Sequence, residues 1–465
     1  MGTTAQKLQN IIDSKAAISA AIELKGGTVP TELTGYGPAI EALPSGGGTP
    51  ESIPFKAVNF IDYDGTVLYS YTSADFLAQA ALPALPPNTD LLSSVDWNYT
   101  YSEITALMEK NGGYCDVGCS RVPKDGHTHL EITVRSWGYI TAQLKYSSSA
   151  ESTIDWGDGS AEESVASGDH TVTHKYSPTS FPTSYMVAIK STGTISFTGN
   201  IGNFSGNSSS SNANGFNGMI TGIFLGNNFT GNIPNACFRW SNGLATVSIP
   251  PNRNIGTIGD YAFEECRMLK AIVFPKGITS LGQYSCQNTV NIKCVSFPAS
   301  LTTINQWSFN GGNSIQRLVF PIGLTTLSYH IASSCYSLNT VIIPEGVTSL
   351  GGENFSVGSS LKDIRLPSTV VSIGNTAFWG CSMNAIIMPP ALTATIQSNT
   401  FSSNNNLRLI DFRSATAVPS TSSAYGAVSN QCKIVVPDAL YESWKTASNW
   451  SNYSSKIVKA SEYNP

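Results

Sequence analysis

Residues 338–351 read LNTVIIPEGVTSLG: a short apolar run, a proline, then a Thr-Ser-Leu-Gly turn. The phrase returns as LKAIVFPKGITSLG at 269–282, IQRLVFPIGLTTL at 315–327 and LKDIRLPSTVVSIG at 361–374. Pro275, Pro298, Pro321, Pro344 and Pro367 stand 23 residues apart, followed by Pro389-Pro390, and a looser copy ends at Pro250. Strict recurrence at one period marks a solenoid.

One and three places before the prolines the residues are apolar: Phe274 and Ile272, Phe297 and Val295, Phe320 and Leu318, Ile343 and Val341, Leu366 and Ile364. Twelve places before stand Phe263, Cys286, Phe309, Ala332 and Phe355. About five inward side chains give at most roughly 15 kcal/mol per copy. Ordering 23 backbones costs more, at ~1–2 kcal/mol each. Stacking of neighbours supplies the missing burial. Each proline, lacking an N–H, ends its strand.

Two rows are expected to face outward. Two places before the prolines come Val273, Ser296, Val319, Ile342 and Arg365, partly apolar and weakly charged. Fourteen places before come Tyr261, Tyr284, Trp307 and His330. A ring ladder of this kind grips sugars through its apolar faces; the plainer role is to cover the turn beside the Ala-Phe pair. Tyr261, Tyr284, Trp307, Val319, Ile342 and Arg365 are the candidate ligand-binding residues, with Trp307 the largest contributor.

The pattern L-x-x-I-x-I-P-x-x-V-T-S-I-G-x-x-A-F-x-x-C, matched best by LNTVIIPEGVTSLG and SIGNTAFWGC, resembles the BspA-like class of bacterial leucine-rich repeats. The resemblance covers about residues 219–430. CKIVVPDALYESWKTASNWSNYSSKIVKASEY then closes the array with a strand and a helix. Cys266, Cys335 and Cys381 share one repeat position, three and then two repeats apart. Strand spacing puts them ~14 and ~10 Å apart, beyond the ~7 Å that a disulfide spans. They are expected to be buried free thiols.

Ahead of the array, the expected fold is multidomain and mainly β: a leucine-rich repeat solenoid preceded by a β-sandwich, a small α+β domain and an N-terminal helical element. Residues 1–45 carry helical apolar spacing (Leu8, Ile11, Ile12, Ile18, Ile22), and 46–52 form a Gly/Pro/Ser linker. Residues 53–135 read as the α+β domain, with a hairpin around Asp64-Gly65, a capped helix ending at Gly112-Gly113, and a second hairpin over SRVPKDGHTHLEITV. Residues 136–198 hold IDWGDGS (154–160) and HTVTHKY (170–176), which resemble the polycystic-kidney-disease-like β-sandwich, usually a spacer. Its Asp155, Asp158 and His174 are read as turn-capping groups rather than a metal or acid/base site. Residues 199–430 hold the repeats, opening on a polar low-complexity loop, and 431–465 the cap.

Charged residues make up 12% of the 465, with net charge −5 and the Lys and Arg scattered. This argues against a nucleic-acid partner. No run reaches the roughly 18 apolar residues of a membrane span, and the N-terminus lacks the pattern of a secretory signal. Cys115, Cys119, His127 and His129 could supply four zinc ligands, but a plain hairpin is the favoured reading. No nucleophile elbow, phosphate loop or paired-carboxylate site stands out. The expectation is therefore a non-enzymatic chain without cofactor or metal.

Residues 7–26 and 59–72 resemble the start of tail-fibre and other structural proteins of phages and prophages. That implies a virion protein made in the host cytoplasm, a homo-oligomer with trimers among the candidates. It would join other tail proteins through its N-terminus and bind a bacterial surface receptor, glycan or protein, through the repeats. The alternative is a bacterial cell-surface adhesin, with a glycan-degrading tail enzyme more distant.

Overall fold

Short strands precede each proline, at Ala271–Val273, Cys294–Ser296, Arg317–Val319, Thr340–Ile342 and Asp363–Arg365. They pair in parallel at a shift of one repeat, as in Ile272 with Val295 and Leu318 with Val341. Two-residue strands at Thr257–Ile258, Ser280–Leu281, Thr303–Ile304, Thr326–Leu327, Ser349–Leu350 and Ser372–Ile373 line a second side. The computed structural model describes residues 57–134, 140–180, 182–201, 205–206, 220–251, 255–358, 360–422, 429 and 431–463. The helical element expected at 1–45 and the linker at 46–52 lie outside them.

The third side of each coil is a turn held by the next coil. Tyr261, Phe263 and Glu265 donate their N–H groups to the carbonyls of Gln283 (2.9 Å), Ser285 (2.7 Å) and Gln287 (2.9 Å). Two positions per coil take the left-handed conformation, with φ of 60° at Tyr261 and 61° at Glu265, then 56° at both Tyr284 and Asn288. Such backbone costs roughly 1–3 kcal/mol per residue and persists only where its surroundings impose it. Here the bonds between coils impose it.

Inside, phenylalanines stack along the axis: Phe274 on Phe297 (5.9 Å) and Phe355 on Phe378 (6.0 Å). Cys266, Cys335 and Cys381 are buried free thiols. Each donates its S–H to a carbonyl of the preceding coil: Phe238 (3.2 Å), Phe309 (3.2 Å) and Phe355 (3.3 Å).

The row of two-residue strands has a step in it. Its following position holds Gly259, Gly282, Asn305, Ser328, Gly351 and Gly374. A Cβ on Gly282 would lie 2.5 Å from the Asp260 backbone nitrogen, and one on Gly374 would lie 2.4 Å from that of Gly352. Coils therefore approach fully only where a glycine stands on at least one side. Where it does, the ladder bond forms: Gly282 to Ile258 (2.8 Å), Asn305 to Leu281 (3.0 Å), Gly351 to Leu327 (2.8 Å), Gly374 to Leu350 (2.9 Å). Between Asn305 and Ser328 neither side is glycine. One sheet ends at Thr303–Ile304 and the next begins at Thr326–Leu327, and the pre-proline ladder also stops there, between Cys294–Ser296 and Arg317–Val319. The turn side continues across the step, with Phe309 N–H on the Ile331 carbonyl at 2.8 Å.

Two further bodies precede the array in sequence. Strands β1 (Ala57–Ile61), β2 (Val67–Thr72), β3 (Leu92–Trp97) and β4 (Cys115–Pro123) form a sheet in the order β2-β1-β4-β3. Helix α1 (Ser73–Gln79) follows β2. Helix α2 (Tyr101–Asn111) carries the Thr100/Glu103 capping box and ends at Gly112 with φ 64°.

Strands β5 (Thr128–Val134), β6 (Ile140–Ser148), β7 (Ser152–Asp155), β8 (Glu163–Val165), β9 (Gly168–Tyr176), β10 (Thr183–Ser191), β11 (Ile195–Phe197) and β12 (Ser205–Gly206) make two facing sheets with β13 (Ile220–Phe224) and β14 (Thr246–Ser248). One has the order β14-β13-β5-β10-β7-β8; in the other β6 pairs with β9, β11 and β12. The hairpin expected over SRVPKDGHTHLEITV is corrected. β4 pairs with β1 and β3, whereas β5 pairs with β10 and β13, so the two strands diverge into different sheets. Because β13 and β14 also open the repeats, these two sheets and the solenoid share one hydrophobic core.

The α+β body does not stand ahead of the repeats as a separate bead. β4 lies across their outward row. Gly118 permits this, since a Cβ there would fall 2.3 Å from Val273 Cγ1. Asn98 Nδ2 donates to the Phe274 carbonyl (3.1 Å) and to Ser296 Oγ (2.9 Å), and Ser296 Oγ donates to the Asp116 carbonyl (2.8 Å). Ion pairs Lys276–Asp96 and Arg317–Asp116 flank the contact. At the C-terminus, parallel strands Ala385–Ile387, Leu409–Asp411, Lys433–Val436 and Ile457–Lys459 close the array, with Trp444 and Trp450 buried beneath the last turns.

Candidate functional site

The ring row forms a continuous stack. Tyr261 lies on Tyr284 (centroids 4.8 Å, 4° between planes), Tyr284 on Trp307 (5.8 Å, 10°) and Trp307 on His330 (3.7 Å, 11°). The Arg239 guanidinium caps it, 4.7 Å from the Tyr261 centroid. Each ring is borne by a left-handed residue, and the coil spacing brings successive rings to stacking distance. The expectation that the row offers ring faces is therefore corrected. The faces are taken by neighbouring rings, and edges are what remain. Among the described residues the hydroxyls of Tyr261 and Tyr284 and the Trp307 indole N–H have no hydrogen-bond partner and reach solvent, leaving polar edges for a ligand. His330 Nδ1 lies 3.5 Å from Glu353 Oε2. Burial pulls the imidazole pKa down and Glu353 opposes it, with the net direction below the ordinary value.

The second candidate row is placed differently. Val319 is 5% and Ile342 1% exposed, and both pack on Tyr114 just before β4. Their expected outward exposure is corrected. They face away from the solenoid core but into the docked α+β body, so a receptor cannot reach them. Arg365 stays exposed beside Gly112. Ring row and sheet row are thus not one surface: the first is partly open, the second covered at Val319 and Ile342.

The remaining candidates act structurally. Cys115 and Cys119 sit in the core of the α+β body, where burial pushes the Cys119 thiol up to about 12. His129 Nε2 meets the Asp125 carboxylate at 2.9 and 3.0 Å. Among the described residues no group of three or more His, Cys, Asp or Glu is placed to hold a metal ion. Asp155 and Asp158 accept the N–H groups of Gly157 and Ser160, each at 3.0 Å, as turn caps. His174 stacks on Trp156 (4.7 Å) and meets Asp158 at 2.8 Å.

Residues 231–357 and 333–442 match the family of the BspA type leucine rich repeat region, in 6 copies. Among solved structures, the chain is similar to a leucine-rich repeat protein from Bacteroides ovatus ATCC 8483 (18% identity over 47% of this chain, TM-score 0.39). It is similar to a leucine rich cell surface protein from Faecalibacterium prausnitzii A2-165 (18%, covering 48% of this chain and 71% of that one, TM-score 0.26). It also resembles a T. pallidum leucine rich repeat protein (19%, covering 48% and 87%, TM-score 0.27). The chain spans 59% of the length of the Bacteroides ovatus protein. No curated protein matches it. The repeats between 231 and 442 are therefore a leucine-rich repeat region of the BspA type.

Proposed function

We propose that the chain is a non-enzymatic adhesion protein of the bacterial surface whose repeats hold a cell-wall glycan or surface protein against the ring edge. One observation carries this reading. Val319 and Ile342 are covered by Tyr114 beside β4, while Tyr261, Tyr284 and Trp307 stay partly exposed along their polar edges. Aromatic edges combine a rigid apolar body with a hydrogen-bonding rim, the composition that recurs at interface centres. The site has few charges, so contact depends on close fit rather than long-range attraction.

The finer placement on a phage tail fibre, with residues 1–45 docked on other tail proteins and the chain in a homo-oligomer, rests on the resemblance of residues 7–26 and 59–72. Immunogold labelling of cells and of virions separates the two locations. The shared binding claim is tested by adding fluorescent full-length chain to intact bacterial cells. Saturable binding that falls about tenfold on Trp307→Ala, at unchanged melting temperature, supports it. Saturable binding indifferent to Trp307→Ala would remove the ring edge from the site.

A further inference from the structure

We infer that the step between the Asn305 and Ser328 coils is a binding groove for a neutral oligosaccharide. The groove encloses about 410 Å³, within the ~300–1,000 Å³ range of ligand sites. Its lining runs from Gln283 to Gln397 and holds no Asp, Glu, Lys, Arg or His. Asn305 and Gln306 stand on one side of the step, Ser328, Tyr329 and Ser349 on the other. Tyr329 is 51% exposed.

The groove exists because Asn305 and Ser328 both carry side chains where neighbouring junctions have glycine. The same step strips two backbone groups of their partners. The N–H at this position bonds the preceding coil in Asn305, Gly351 and Gly374; among the described residues Ser328 N–H and the Ile304 carbonyl make no such bond. The half-buried Ser328 N–H, several carboxamides and several hydroxyls thus converge with one half-exposed ring.

That set selects a ligand class. Carboxamides donate and accept together, matching adjacent hydroxyls on a sugar ring. Tyr329 gives a face for the apolar side of a pyranose. An ion finds no opposite charge, and a purely apolar ligand would leave the amides unpaired at a cost in binding. An extended peptide adding a strand needs a longer edge than the two residues on each side here. The lining crosses six coils, roughly 24 Å at ~4.8 Å per step, which suits a linear chain of sugars. The lining contains none of Tyr261, Tyr284, Trp307 and His330, so the inference does not rest on the ring edge.

The test is isothermal titration of the full chain with cellohexaose, maltohexaose, mannohexaose and chitohexaose, with polygalacturonate and an uncharged extended peptide as controls. At least one neutral hexasaccharide is expected to bind. Gln306→Ala and Tyr329→Ala should each weaken it about tenfold. Ser328→Gly should let the coils close and abolish binding, whereas Met268→Ala, outside the groove, should not alter it. Absence of binding by all four hexasaccharides, undiminished binding by Ser328→Gly, or tighter binding of the peptide would each overturn the inference.

Discussion

Arg317, one coil beyond the step, pairs with Asp116 in β4, and neither side chain is more than 9% exposed. The contact joins residues 201 positions apart and helps hold the α+β body over the outward row. Asn59 Nδ2 donates to the same carboxylate at 3.0 Å.

Removing one member of this pair strands the other. Arg317→Ala is expected to cost about 3–5 kcal/mol. Asp116→Asn combined with Arg317→Met should recover at least half of that loss. Urea unfolding of the single and double variants measures both. A loss below about 1 kcal/mol for Arg317→Ala would show that the pair does not hold the bodies together.

Asp158 supplies a pH signature. Burial alone would raise its pKa, but hydrogen bonds from Ser160 and His174 overcome this and hold it at about 2, against an ordinary 3.8. With the folded value below the unfolded one, its stabilisation is fully present above pH 3.8 and lost as pH falls toward 2. Thermal melts at pH 4.5 and pH 2.5 should show a larger drop for the native chain than for Asp158→Asn. Equal drops would remove Asp158 from the acid response.

The glycine rule has its own check. A Cβ on Gly374 meets the Gly351 and Gly352 backbone at 2.4–2.6 Å, where no side chain can yield. Gly374 is the one glycine at its junction with the Gln397 coil, so Gly374→Ala should force a small separation there and cost about 1–3 kcal/mol. It should also speed amide exchange at Gln397, whose N–H bonds the Ile373 carbonyl at 3.2 Å. Unchanged exchange there would mean that coil spacing does not depend on this position.

The repeats were legible because every coil meets near-identical neighbours, so a one-dimensional pattern carries inward positions such as Ile272 and Phe274 without long-range information. The covering of Val319 and Ile342 was not. It depends on Tyr114 and Asp116, more than two hundred residues away, and no local signal announces such a contact. The diverging partners of β4 and β5 escaped for the same reason. The ring row was half legible. Its period gave the alignment of Tyr261, Tyr284 and Trp307, but that same spacing places ring on ring and consumes the faces. The step left a trace in the sequence, where Thr-Ser-Leu-Gly becomes Thr-Thr-Ile-Asn and then Thr-Thr-Leu-Ser. Its meaning depends on the contact that a Cβ makes with the preceding coil.

Hydrogen–deuterium exchange of the full chain, with and without an envelope extract from cells that it binds, tests most directly which face meets the partner. Protection is expected around Tyr261, Tyr284, Trp307 and His330, where each turn N–H already bonds the next coil and a ligand would suppress its opening. Segments 317–319 and 340–342, beneath β4, should be unchanged. Protection confined to those segments, with the ring turns unaffected, would contradict the account.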